Sequence, residues 1–81
     1  MKFKKTLRKI EAKVESFMNS DDMEDYIYFM NGTRFRLMNY IDGLVVEYRD
    51  QKDDVVLKVG FPPDVTVDDI VSFIERNHWG N

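Results

Sequence analysis

His78 is the single histidine in this sequence, and there is no cysteine. Cys–His chemistry is therefore closed, and a histidine base has one candidate. Such a base works when it faces a nucleophile and is oriented by a third group. No residue is spaced around His78 to suggest that triad, and Ser16, Ser20 and Ser72 lack the context of a nucleophile elbow. His78 stands beside Trp79 at the end of the last helical pattern, where a cation suits the helix dipole. The acidic runs Asp21-Asp22-Met23-Glu24-Asp25 and Asp50 with Asp53-Asp54 raise calcium. A calcium loop needs alternating oxygen ligands, a glycine at its sharp turn and a closing glutamate. Neither run has that glycine or that glutamate, so both read as solvated loops. The glycines are scattered, which leaves no phosphate-cradling loop. The expectation is a non-catalytic chain with no metal, no cofactor and no small-molecule substrate. It should act by binding.

Charge gives the first candidate surface. Net charge is −3, unevenly spread. From Met1 to Ser20, six bases against two acids give +4, and the remaining six bases against thirteen acids give −7. Lys2, Lys5, Arg8, Lys9 and Lys13 lie on the outer sides of a stripe formed by Phe3, Leu7, Ile10, Val14 and Phe17, with Met18 widening it. Steps of four and three mark one face of an amphipathic helix. Asn19-Ser20-Asp21-Asp22 ends it with residues that compete for the backbone. A basic helix face suits nucleic acid, anionic lipid or an acidic protein, and equally a solubilising exterior. Membrane attachment is not expected, because the apolar stripe should be used in the core.

The elements that would position a second surface are strands. Tyr26 to Met30 is aromatic and apolar, and Asn31-Gly32 follows with the residues of a type I′ hairpin turn. Thr33 to Ile41 is the next strand, Asp42-Gly43 a second such turn, and Leu44 to Arg49 a third strand. The polar loop Asp50 to Asp53 leads to Val55 to Phe61, which Pro62-Pro63 stops. Thr66 is an N-cap with Asp69 three residues on, resembling a capping box. Val65 and Ile70 fit a hydrophobic staple. Val67, Ile70, Val71 and Ile74 form the stripe of a closing helix, and Gly80 lies near its stop.

Turn length sets register, and register sets faces. Two-residue turns pair Met30 with Thr33, Tyr28 with Phe35 and Tyr26 with Leu37. In the next hairpin they pair Ile41 with Leu44, Asn39 with Val46 and Leu37 with Tyr48. A four-residue loop at 50–53 sets Tyr48 against Val55, Val46 against Leu57 and Leu44 against Val59. The expected fold is α+β, α-β-β-β-β-α, one domain over residues 1–81. It is a four-stranded antiparallel meander with both helices packed on one face. The other face then holds Ile27, Phe29, Arg34, Arg36, Met38, Tyr40, Val45, Glu47, Arg49, Asp54, Val56 and Lys58. Phe29 would oppose Arg34, and Arg36 would oppose Arg49. Like charges directly opposite are unfavourable, so Glu47, a partner carboxylate or a phosphate should offset them.

The candidate binding surface is therefore Phe29, Arg34, Arg36, Met38, Tyr40, Arg49 and Lys58. Arginine, methionine and aromatics are enriched at protein interfaces, including those of self-association. Sheets that stack bases and grip phosphates use similar residues. Protein contact leads, with a homodimer as one form of it, and nucleic-acid binding through this face or the basic helix is the alternative. A plain face covered by its own long side chains is the third reading.

The basic start Leu7-Arg8-Lys9-Ile10-Glu11, the Asn31-Gly32 hairpin and Val67-Asp68-Asp69-Ile70-Val71-Ser72-Phe73-Ile74 together resemble the YkuJ-like family of small Gram-positive bacterial proteins. That resemblance implies an α-β4-α plan and brings no biochemical activity. A short chain of this kind also fits a phage or mobile-element origin, which would favour an inhibitor or adaptor of a host protein. No apolar stretch approaches the roughly 18 residues that span a bilayer, and the basic start lacks the apolar run of a signal peptide. A cytoplasmic location is expected.

Overall fold

The computed structural model describes residues 2–79, with side chains described for residues 7–77. The expectations for the side chains of Lys2, Phe3, Lys5, His78 and Trp79, and for Gly80, lie outside the described residues. The elements are α1 (Lys2–Met18), β1 (Glu24–Tyr28), β2 (Arg34–Tyr40), β3 (Gly43–Arg49), β4 (Val55–Phe61) and α2 (Val67–Trp79). The strands form one antiparallel meander in the order β1-β2-β3-β4, giving the expected α-β-β-β-β-α order. The chain divides into two compact units, residues 1–21 with 66–81, and residues 22–65.

In the helical unit, α1 and α2 touch each other. Ile10, Val14 and Phe17 are buried on α1, at the spacing of one helical face. Leu7 and Met18 are half-buried. The helix ends because side chains take its last carbonyls. Asn19 Nδ2 donates to Glu15 O (2.9 Å) and Ser20 Oγ to Phe17 O (2.7 Å). The start of α2 is a reciprocal capping box: Asp69 N–H donates to Thr66 Oγ1 (3.2 Å), and Thr66 N–H to Asp69 Oδ2 (3.1 Å). Ile70, Val71, Phe73 and Ile74 are buried on α2. Phe73 is an addition to the expected stripe, while Val67 is only half-buried.

In the sheet unit, Ile27, Phe35, Leu37, Leu44 and Val46 are buried on one face. The turns differ from expectation, and each difference has a local cause. Between β1 and β2 the loop is three residues, Met30-Asn31-Gly32. Gly32 N–H donates to Phe29 O (3.0 Å) and Phe29 N–H to Thr33 O (3.0 Å). That is a type I turn closed by a left-handed residue, Gly32 at φ +89°. Asn31 Oδ1 accepts from Thr33 N–H (3.0 Å) and Thr33 Oγ1 (2.6 Å), which fixes it inside the loop. The extra loop residue shifts β1 by one. Ile27 therefore pairs with Phe35, Tyr26 with Arg36 and Tyr28 with Arg34, and every β1 side chain changes face.

The β2–β3 turn is Ile41-Asp42, closed by Tyr40 opposite Gly43. Neither turn residue has positive φ, so it is not type I′. Gly43 is needed in the strand instead: it has φ +153°, and a Cβ there would come within 2.1 Å of Phe61 O. Leu37 pairs with Val46 and Phe35 with Tyr48. The β3–β4 loop is also three residues, with Asp53 N–H donating to Asp50 O (3.0 Å) and Asp50 N–H to Asp54 O (3.0 Å). Asp53 takes φ +68°. Asp50 Oδ1 accepts from the N–H groups of Lys52 and Asp54, each at 2.9 Å. A bulge after Tyr48 sets Arg49 opposite Val55 and Tyr48 opposite Leu57. Along most of β2, β3 and β4 these shifts total two residues, so faces are kept. At the bulge, Val55 rather than Val56 stands opposite Arg49.

Two strand glycines separate steric need from tolerance. Gly43→Ala should cost about 2 kcal/mol or more in urea denaturation, through the Phe61 carbonyl clash and the unfavourable φ. A Cβ built at Gly60 meets nothing within 4 Å, so Gly60→Ala should fall within about 0.5 kcal/mol of the parent or stabilise it. Equal effects at both positions would contradict this register.

Candidate functional site

Opposite the buried face, the register arranges side chains in rows across the strands. The first row is Tyr28, Arg34, Arg49 and Val55, and the second is Tyr26, Arg36, Glu47 and Lys58. The third is Glu24, Met38, Val45 and Gly60, and Tyr40 with Gly43 begins a fourth. Two expected oppositions are corrected. Tyr28, not Phe29, lies opposite Arg34, and Arg49 faces Arg34 while Arg36 faces Glu47.

The offset for the clustered cations is internal. Glu47, with a side chain 8 % exposed, accepts from Arg49 NH1 at 2.7 Å and Arg36 NH1 at 3.5 Å, and Lys58 Nζ lies 4.0 Å from its other oxygen. Asp53 Oδ1 accepts from Arg49 Nε (2.9 Å) and Arg34 NH1 (3.2 Å), and so bridges the two facing arginines. The carbonyl of Asp53, a residue at left-handed φ, also accepts from Arg49 NH2 at 3.1 Å. Glu24 accepts from Arg36 Nε at 2.9 Å and from its NH2. Arg34 NH2 donates to Gly32 O at 3.0 Å. Fork-shaped guanidinium groups suit such paired recognition of carboxylates.

These contacts hold charge in place. The hydrogen bond to Glu24 is the main cause that raises Arg36 above the ordinary guanidinium value, with burial opposing it. At Arg49 burial lowers the value, yet hydrogen bonds to Asp53 and Glu47 raise it further, for a net upward shift. Arginine is a permanent cation in either case.

Aromatics border the network. Tyr26 and Tyr28 stack at 5.6 Å with rings 22° apart, and the Arg34 guanidinium sits 5.6 Å from the Tyr28 centroid. Tyr28 and Tyr40 are exposed, and Tyr40 OH donates to Met38 Sδ at 3.8 Å. A shallow depression of about 130 Å³ lies among Met23, Glu24, Arg36, Met38, Asn39 and Tyr40. That is below the roughly 300 Å³ at which small-molecule pockets begin.

Arg34, Arg36, Met38, Tyr40, Arg49 and Lys58 thus share the face expected for them. Phe29 does not: its ring stands edge-on to fully buried Phe35 at 5.8 Å, because the three-residue loop carries it across the sheet. Tyr26, Tyr28 and Glu24 take the β1 positions instead. Their signal was Glu24-x-Tyr26-x-Tyr28, polar-tipped residues at a period of two. Asp53 had no signal beyond its place in a polar loop. Of the basic helix face, Arg8, Lys9 and Lys13 are exposed on α1. Among the described residues no group of His, Cys, Asp or Glu is arranged to hold a metal, and no helix is long and apolar enough to cross a membrane.

Removing the Glu47 carboxylate leaves the half-buried Arg36 and Arg49 without the acceptor they share and Lys58 without its nearest carboxylate. Glu47→Ala should cost about 2–3 kcal/mol in chemical denaturation. A loss under about 0.5 kcal/mol, the usual surface value, would mean that Asp53 and Glu24 suffice. No family model, curated protein or solved structure matches this chain, so its site is read from its own geometry.

Proposed function

We propose that this chain is a small non-catalytic binding or regulatory protein that works by protein–protein contact through the Arg/Tyr face of its sheet. The observation that carries this reading is the pairing of every arginine on the face with carboxylates of the same face, beside exposed Tyr28 and Tyr40. Long side chains already held in place lose less entropy on binding. Tyrosine and arginine are also the residues that dominate interface energetics. The same pairing disfavours nucleic acid here, since phosphates would have to displace Glu24, Glu47 and Asp53 to gain the usual counterion-release energy. Nucleic-acid binding through the basic face of α1, at Arg8, Lys9 and Lys13, is the second reading. The setting proposed is the cytoplasm, in keeping with a chain that has no cysteine to oxidise. The YkuJ-like resemblance supplies no activity.

The test is affinity capture from source-cell extract with three baits: the parent chain, Tyr28→Ser/Tyr40→Ser, and Arg8→Glu/Lys9→Glu/Lys13→Glu. The tyrosine pair is exposed, so its loss should leave the melting temperature nearly unchanged. Protein partners that the parent retains and the tyrosine variant loses are expected. Retention by the tyrosine variant and loss by the helix variant, with steep salt dependence, would overturn the proposal in favour of the helix.

A further inference from the structure

Asn31 is the one asparagine in this chain that precedes a glycine; Asn19, Asn39 and Asn77 precede Ser20, Tyr40 and His78. At an asparagine–glycine step the carboxamide can be lost without any enzyme. The glycine nitrogen gives its proton to solvent base and attacks the asparagine Cγ. A C–N bond forms, the side-chain nitrogen leaves as ammonia, and a five-membered succinimide results. Water then opens the ring at either carbonyl. One opening leaves aspartate, and the other leaves isoaspartate, whose main chain runs through Cβ and Cγ. The net change is one water taken up and one ammonia released. Glycine permits the attack because no side chain crowds the nitrogen.

The structure opposes that reaction at Asn31. In the type I turn this residue takes the second central position, where ψ is about 0°. The Cα–Cβ bond then stands well out of the plane of the following peptide, which holds Gly32 N and Asn31 Cγ apart. Closing the ring requires that peptide to rotate, and both of its polar atoms are held. Gly32 N–H donates to Phe29 O at 3.0 Å, and Asn31 O accepts from Gln51 Nε2 at 2.8 Å. The side chain is held too, since Asn31 Oδ1 accepts from Thr33 N–H (3.0 Å) and Thr33 Oγ1 (2.6 Å). Asn31 and Gly32 are exposed, so water and base reach the peptide once it turns.

We propose that Asn31-Gly32 is a site of spontaneous deamidation that the β1–β2 loop keeps closed, with Gln51 of the β3–β4 loop as its latch. Reaction then requires local opening of the loop. The two products differ in consequence. Aspartate leaves the backbone unchanged and still offers Thr33 an acceptor. Isoaspartate adds a backbone carbon to the loop whose length sets the register of β1, and with it the place of Tyr28 opposite Arg34. This chemistry stands independently of the protein-contact reading above.

Incubation at mildly alkaline pH, followed by peptide mapping, reads the amide-to-acid mass gain at Asn31 in the folded chain and in guanidinium chloride. The folded parent should convert at least about tenfold more slowly than the unfolded chain, since more than one hydrogen bond must break. Gln51→Met keeps methylenes over Gly32, where Gln51 Cγ lies 3.2 Å from a built Cβ, and removes the donor. It should keep its melting temperature and speed conversion of the folded chain roughly two- to tenfold, the effect of one hydrogen bond. Should Gln51→Met lower the melting temperature, Thr33→Val carries the same test by removing the Oγ1 donor to Asn31. The isoaspartate product, separated chromatographically, should melt below the parent. A folded chain that converts as fast as the unfolded one overturns the proposal, and so does a well-folded latch variant that converts at the parent's rate. An isoaspartate product with the parent's melting temperature would overturn the consequence drawn for β1.

Discussion

Three arginines and a lysine share one face of a four-stranded sheet, and one buried carboxylate, Glu47, joins Arg36, Arg49 and Lys58 at its centre. Glu47 stands in the middle of β3 with Arg36 on one side and Lys58 on the other, and Arg49 reaches it from two residues along. Its side chain is almost sealed from solvent, so its attraction for the guanidinium groups is weakly screened. Glu24 and Asp53 extend the pairing outward to Arg36 and to Arg34 with Arg49. A buried charge of this kind is costly unless it is paired. It therefore constrains register: a one-residue slip of β3 would carry Glu47 to the buried face that holds Ile27, Phe35 and Leu37.

The loops serve that register. The β1–β2 and β3–β4 hairpins use the same three-residue device, with a left-handed residue at the third position, Gly32 in one and Asp53 in the other. The two loops are tied together, since Gln51 Nε2 donates to Asn31 O at 2.8 Å. Asp53 gives up the easier backbone of glycine at a position where few side chains are comfortable. In exchange its carboxylate lands between two arginines that face each other. Loop conformation and charge pairing are thus one arrangement, and the exposed tyrosines beside it belong to a face that is already ordered.

Much of this was legible in the sequence. The helices were, because their stripes are regular and Thr66 with Asp69 forms the cap the spacing suggests. Faces along β2, β3 and β4 are legible although the β2–β3 turn sits one residue earlier and the β3–β4 loop is shorter than its pattern suggests, because the resulting register changes of two residues preserve the alternation. For β1 an error of one does not. Tyr26-Ile27-Tyr28-Phe29-Met30 is apolar at every position, so hydrophobicity cannot say which side faces in. Asn-Gly serves equally as the centre of a two-residue turn or as the end of a three-residue one. For that reason Phe29 lies against Phe35 rather than beside Arg34, and Tyr28 takes the place opposite Arg34. Asp53 was illegible for a different reason: its role depends on a side chain reaching across a bulge, which no local pattern encodes.

A face held together from within can meet a partner without first being ordered, which is what connects the Glu47 network to binding. The most direct test of that network is a double-mutant cycle between Glu47→Gln and Arg36→Gln, read as unfolding free energies at low and high salt. If the carboxylate organises the guanidinium groups, the double variant loses clearly less stability than the two single losses combined, and the coupling survives high salt because the pair is shielded. Additive losses, or a coupling that disappears with salt, would show instead that the arginines are solvated side chains whose order owes nothing to Glu47.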